Sequence, residues 1–173
     1  MTTPKDIDEV WKLLQDSLGR PGYHDQYATE ADFEAAVWPR VVGLATEFGW
    51  DVRSTCLTSH TLHSERSADA WNEFLREEAG PDVAVLDSKN RLDIVLRHPD
   101  YGSIGIELKC LGPRGHAAKL TQSVGQAVLA LFHRDRTVVA IHGGTVKPEA
   151  RRRLGNVVER TCRGTRIAVV VVP

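Results

Sequence analysis

The strongest constraint on this chain is the run LDIVLRHPDYGSIGIELK, residues 92–109, in which two alternating apolar segments flank a polar connection. Leu92, Ile94 and Leu96 alternate with Asp93 and Val95, while Ile104, Ile106 and Leu108 alternate with Gly105, Glu107 and Lys109. A period of two belongs to a strand with one face in the core. The spacing predicts strands over 92–96 and 104–109, joined as a hairpin. Glu107 and Lys109 then share a face, Leu108 turns into the core, and Asp93 comes close to both from the neighbouring strand. Two carboxylates and an ammonium converging at a sheet edge suit a hard divalent cation and a water.

Helical and extended patterns alternate around this hairpin. Pro4, preceded by Thr3, predicts a helix with Ile7, Val10, Trp11, Leu14 and Leu18 on one face, ended by Gly19, Pro21 and Gly22. Thr29 with Asp32 three residues on resembles a capping box before a second helix, whose Phe33, Val37, Val41, Leu44 and Phe48 follow helical spacing. Pro39 predicts a kink there, or two helices. Glu30 and Glu34 lie one turn apart on this helix, either as solvated acids favoured by the helix dipole or with Glu34 as an extra acid near a metal. A strand is expected in WDVRSTCL, followed by a polar connection over 59–66. His60 and His63 in that connection read as surface loop, because no third zinc ligand stands beside them in the sequence.

A short helix over 68–79, a strand over 82–86 and a turn at 88–90 lead into the hairpin. Asp82 also opens a strand, so PDVAV competes with LDIVL for the role of metal acid. After Lys109 a glycine- and proline-marked loop carries Arg114, His116 and Lys119. A helix over 120–132 follows, with Gln122 and Gln126 four residues apart. A buried strand at 137–141 and a basic helix over 149–161, with Arg151, Arg152 and Arg153 adjacent, precede the final IAVVVV. That continuous apolar run predicts a strand buried on both faces. The pattern is α/β, a mixed central β-sheet flanked by helices on both faces. The 173 residues make a single domain, with 1–28 a helical N-terminal extension and 29–173 the core.

The net charge of −1 hides an asymmetry, −9 over residues 1–109 and +8 over 110–173. A basic C-terminal third beside an acidic pocket suits a phosphate-contacting face, though the two halves could equally neutralise each other across the fold. No apolar run approaches the roughly 20 residues of a membrane span. The polar, acidic start argues against a secretory signal, and Cys56, Cys110 and Cys162 form neither a disulfide set nor a zinc-spaced pair. Together these predict a cytoplasmic protein.

Asp93, about a dozen intervening residues and then Glu107-Leu108-Lys109 after an apolar strand resemble the signature of the PD-(D/E)XK, or restriction-endonuclease-like, nuclease superfamily. Leu92 stands where the family's name has a proline. The later helix with Gln122 and the Gly125-Gln126 pair is similar to the glutamine-bearing helix of many members, and Glu34 matches an extra acid that some carry. The resemblance spans about residues 31–141. It implies a restriction-endonuclease-like core and a metal-dependent nuclease acting on DNA more readily than RNA, with Mg²⁺ or Mn²⁺ held by Asp93, Glu107 and the Leu108 carbonyl. Lys109 would position the attacking water or stabilise charge on the phosphate, Gln122 or Gln126 would orient backbone or water, and Arg114, His116 and Lys119 would contact phosphates. No helix-turn-helix or zinc finger is present to read DNA, which implies broad specificity, a homodimer, or a partner protein that supplies specificity. The alternatives are a catalytically inactive endonuclease-like module for nucleic-acid binding or protein interaction, and an ordinary Asp/Glu/Lys cluster on a wet sheet face.

Overall fold

The expected hairpin forms, but its first strand begins at Ile94 rather than Leu92, and Leu92 packs with Leu57, Trp71 and Val95 instead of with Ile94 and Leu96. In the computed structural model, which describes residues 3–77, 82–85, 88–111, 116–144 and 146–172 and only the backbone of 82–85 and 88–90, β4 (Ile94–His98) pairs antiparallel with β5 (Gly102–Cys110). Ile94 lies opposite Ile106 and Leu96 opposite Ile104, so the apolar sets of both strands share one face. One further step of the same register sets Asp93, which immediately precedes β4, across from Glu107.

β5 continues the sheet in parallel with β6 (Arg136–His142), and β6 pairs in parallel with β7 (Ile167–Val172). On the other side β1 (Cys56–Thr58) adds antiparallel to β4, giving a mixed five-stranded sheet in the order β1-β4-β5-β6-β7. Parallel neighbours need crossover connections. These are α5 (His116–Ala130), between β5 and β6, and α6 (Pro148–Cys162), between β6 and β7.

Helices cover both faces of this sheet. Ile94, Leu96, Ile104, Ile106, Leu108, Val138 and Ala140 pack against Val10, Leu14 and Leu18 of α1 (Ile7–Gly19) and Phe33, Val37, Val41 and Ala45 of α2 (Glu30–Phe48). On the opposite face Val139, Ile141 and Ile167 bury Ala127 of α5, with Leu120 of α5 and Leu154 of α6 partly buried beside them. Leu57 and Val95 meet Trp71 and Phe74 of α4 (Ala68–Phe74) on that side. α1 is thus part of the main core, its three inward side chains fully buried.

Several elements differ from the sequence expectation, each for a local reason. Asp6, not Thr3, caps α1, its carboxylate accepting from the Glu9 N–H at 2.9 Å. α2 runs unbroken through Pro39; burial of Val37, Trp38 and Val41 around it offsets the one backbone hydrogen bond that proline removes. The Asp51 side chain caps Arg53, turning Val52–Thr55 into a short helix, α3, so that β1 starts only at Cys56. Residues 88–90, expected as a turn, belong to β3 (Ser88–Arg91), which pairs with β2 (Asp82–Val85) in a separate two-stranded sheet. Among the described residues β7 is an edge strand with β6 its one neighbour, and Val169, Val170 and Val171 are only partly buried. The helix expected over 68–79 ends at Phe74, with Leu75 as its cap and a turn following; Ala79 itself lies outside the described residues.

The capping box at the start of α2 forms as expected. Thr29 Oγ1 accepts from the Asp32 N–H at 3.1 Å, and Asp32 Oδ2 accepts from the Thr29 N–H at 2.9 Å. This cap fixes the helical turn that carries Glu30 and Glu34. Thr29→Ala is expected to cost about 1 kcal/mol of stability, read as a lower urea midpoint at unchanged slope. An unchanged midpoint would show that α2 is held by packing alone.

Candidate metal centre

Three elements end at one place: the start of β4, the end of β5 and the first turns of α2. Asp93 sits half-buried at the entrance to β4, and its Oδ2 accepts from the Leu108 N–H at 2.7 Å. That bond turns the carboxylate toward β5. Glu107 and Lys109 stand on the same face of β5, as alternation requires, with Lys109 Nζ 3.0 Å from Glu107 Oε1. Glu107 is only 2% exposed, and its second oxygen, Oε2, is buried with no hydrogen-bond partner among the described residues. From α2, Glu30 Oε2 reaches Lys109 Nζ at 3.2 Å. Glu30 is therefore a member that the sequence reading treated as a solvated acid. Only the closing of α2 over the sheet end brings it there.

The charges in this cluster do not balance. Burial raises the Asp93 carboxyl to about 7, and the neighbouring Glu107 charge adds to the rise; the Leu108 N–H and the Lys109 ammonium oppose it. Glu34 contributes to the same rise, which places its charge within reach of Asp93. Burial also raises Glu107, against the pull of Lys109. Burial pulls Lys109 down, but the carboxylates of Glu107, Glu30 and Asp93 more than offset it, and its pKa ends above the ordinary value. One ammonium thus serves three carboxylates at a partly dehydrated sheet end. An orphaned, buried carboxylate oxygen next to an acid held near neutrality is the donor set that a divalent cation with oxygen preference would complete.

Compared with protein-family models, curated proteins and solved structures, the chain gives no match. The residues themselves carry the functional argument.

Glu34 lies deeper along α2 and is buried. Its Oε1 accepts from Thr58 Oγ1 at 2.7 Å and lies 3.3 Å from His63 Nε2. His60 joins them: one ligand atom from each of Glu34, His60 and His63 falls within 4.8 Å of the others. The third partner absent from the local sequence around the histidines is supplied by a residue of α2. Thr58 pairs with Ile94 across β1 and β4, so this trio adjoins the Asp93 end of the hairpin.

The other sequence candidates are spread more widely. Gln126 is partly buried, with its Oε1 enclosed and unpartnered, whereas Gln122 is exposed on α5. Lys119 donates to the Cys110 carbonyl at 2.9 Å, tying α5 to the end of β5. His116 opens α5, and Arg114 lies outside the described residues. Asp82 belongs to the separate β2-β3 pair, across from Arg91, so the strand beside β5 carries Asp93 and not Asp82. No helix among the described residues is long and apolar enough to cross a membrane.

Proposed function

We propose that the protein is a metal-dependent phosphodiester hydrolase acting on nucleic acid, DNA before RNA, on a restriction-endonuclease-like core. The observation that carries this is the meeting of Asp93, Glu107 and Lys109 at the end of the central hairpin, with Glu107 Oε2 buried and unpartnered. The order α2, β1, β4, β5, α5, β6, with the hairpin in mid-sheet, supports the same reading.

Asp93 and Glu107, with the Leu108 carbonyl between them, would hold a Mg²⁺ or Mn²⁺ ion. Such an ion polarises a phosphoryl oxygen and lowers the pKa of a bound water. The chain's own residues do the rest. The Leu108 N–H holds one carboxylate oxygen of Asp93 in place. Lys109 is a point charge held against Glu107, placed to orient a water or to offset charge growing on the phosphate. Glu30 competes with Glu107 for that ammonium, and keeps it at the mouth of the site. The amide of Gln126, whose oxygen lacks a partner, is available to a water or a sugar-phosphate backbone. Sequence selection would come from a second copy of the chain or from a partner protein.

One observation favours a second reading, a catalytically inactive binding or interaction module: Lys109 already has two carboxylate partners. Incubating the protein with supercoiled plasmid separates the two. Nicking that requires Mg²⁺ or Mn²⁺, stops with EDTA and is lost in Glu107→Gln is the expected result. The enzyme reading fails if no DNA or RNA is cut with either metal and calorimetry detects no uptake of the ion. Glu107→Gln is expected to lower the cleavage rate at least about 10²-fold.

A further inference from the structure

We propose that Glu34, His60 and His63 form a second metal site, selective for a divalent transition ion such as Zn²⁺ rather than for Mg²⁺. Zinc binds imidazole nitrogens and carboxylate oxygens at about 2.0–2.2 Å, which sets tetrahedral ligand atoms about 3.3–3.5 Å apart. Glu34 Oε1 and His63 Nε2 stand 3.3 Å apart, already the edge of such a tetrahedron. His60 completes the trio within 4.8 Å, its ring centroid 4.9 Å from that of His63. His60 Nδ1 is buried with no hydrogen-bond partner among the described residues. A buried imidazole nitrogen left unpaired costs free energy that a metal bond would remove.

The site is also held from outside, as metal ligands are. Thr58 Oγ1 donates to the ligating oxygen of Glu34 at 2.7 Å and accepts the His60 backbone N–H at 3.0 Å, fixing two of the three ligands with one hydroxyl. The His63 ring stacks on Trp38 at 4.6 Å and 14°, and Trp38 Nε1 donates to Glu65 Oε2 at 3.0 Å. Arg66 Nε donates to the Thr58 carbonyl at 2.8 Å, closing the loop from behind. Two imidazoles and one carboxylate leave a fourth position for water or an incoming group. Two nitrogen donors disfavour Mg²⁺ and favour Zn²⁺, Co²⁺ or Ni²⁺.

This site does not depend on the Asp93–Glu107 pair, and its test keeps the two apart. The full chain is stripped with a chelator and titrated with Co²⁺, read by its visible d–d absorption, and with Zn²⁺ against a chromophoric competitor. In millimolar Mg²⁺, which competes for the Asp93–Glu107 carboxylates, one tightly bound ion per chain is expected, with Co²⁺ absorption of the intensity typical of a four- or five-coordinate ion. His60→Ala and His63→Phe are expected to weaken Zn²⁺ binding at least about tenfold. The phenylalanine retains the stack on Trp38, and near-ultraviolet circular dichroism verifies the fold of both variants. Asp93→Asn, which removes a proposed Mg²⁺ ligand but none of Glu34, His60 and His63, is expected to weaken Zn²⁺ binding less than either histidine substitution. No saturable uptake by the wild-type chain would overturn the proposal. So would uptake that survives in the folded His60→Ala/His63→Phe double variant, or that disappears with Asp93→Asn.

Discussion

Asp93→Asn is expected to abolish metal-dependent cleavage while making the metal-free protein more stable at pH 8. The two effects share one cause. In the unfolded chain the Asp93 carboxyl titrates near 3.8; in the fold, burial and the Glu107 charge raise it to about 7. Between these values the native state holds a proton that the unfolded state has lost. Stability therefore falls as pH rises through that window, and the penalty is complete above about pH 7. The gap corresponds to a ceiling of about 4 kcal/mol. Asparagine carries no charge, yet retains an oxygen for the Leu108 N–H. Thermal melts in EDTA should nearly coincide for wild type and variant only below about pH 3.8, and the variant should melt progressively higher from there to pH 8. Mg²⁺ or Mn²⁺ at about 100 times its dissociation constant should stabilise the wild type by about 2.7 kcal/mol and the variant hardly at all. Cleavage should fall by about 10²–10³-fold or more. A variant that melts lower at pH 8, or that still cuts, would place the metal elsewhere.

Lys109→Met should have the next largest effect, and of opposite sign on stability. The substitution keeps an unbranched apolar stem and removes the ammonium that lies 3.0 Å from Glu107 and 3.2 Å from Glu30. Glu107, 2% exposed, is then a buried carboxylate with no counter-charge on its own strand. Breaking one side of such a pair costs about 3–5 kcal/mol. Because the pKa of Lys109 lies above its ordinary value, the pair is intact throughout the neutral range. The loss should accordingly be largest near pH 8 and shrink in acid, where Glu107 takes up a proton, its carboxyl already raised by burial. A divalent cation can replace the missing positive charge but not the positioned ammonium. Urea unfolding with Mg²⁺ should recover much of the lost stability, with cleavage still impaired. Wild-type stability without the metal would mean that Lys109 and Glu107 interact mainly through water.

The two variants together separate chemistry from architecture. Glu107 lies near the end of β5, a central strand with partners on both sides, with Asp93 just before β4 beside it, and the site inherits its rigidity from that ladder. Clustered carboxylates there oppose the stability of the metal-free fold, and a sheet with a covered core on each face tolerates the strain.

Much of the hairpin was legible in the sequence because its information is local. The period of two in residues 92–109 put Glu107 and Lys109 on one face and Leu108 in the core, and a short connection between two such runs has little choice but to pair. The capping box at Thr29 was legible for the same reason, its two partners being three residues apart. Local pattern failed where competing geometry decided the outcome. Asp51 could cap a helical turn as readily as it could precede a strand, and a continuous valine run does not say whether its strand is central or at an edge.

By itself the sequence determined an α/β chain, its central hairpin and the face on which Asp93, Glu107 and Lys109 meet. These follow from side-chain alternation and short-range pairing. Only the tertiary structure decided that α2 delivers Glu30 to Lys109 and Glu34 to His63, across 79 and 29 residues of sequence. It alone set Asp82 apart on a second sheet and made Asp93 an acid poised near neutrality. The physical reason is that packing a helix over a sheet end joins residues that no periodicity links, and that a carboxyl's pKa depends on the water and charges the fold leaves around it.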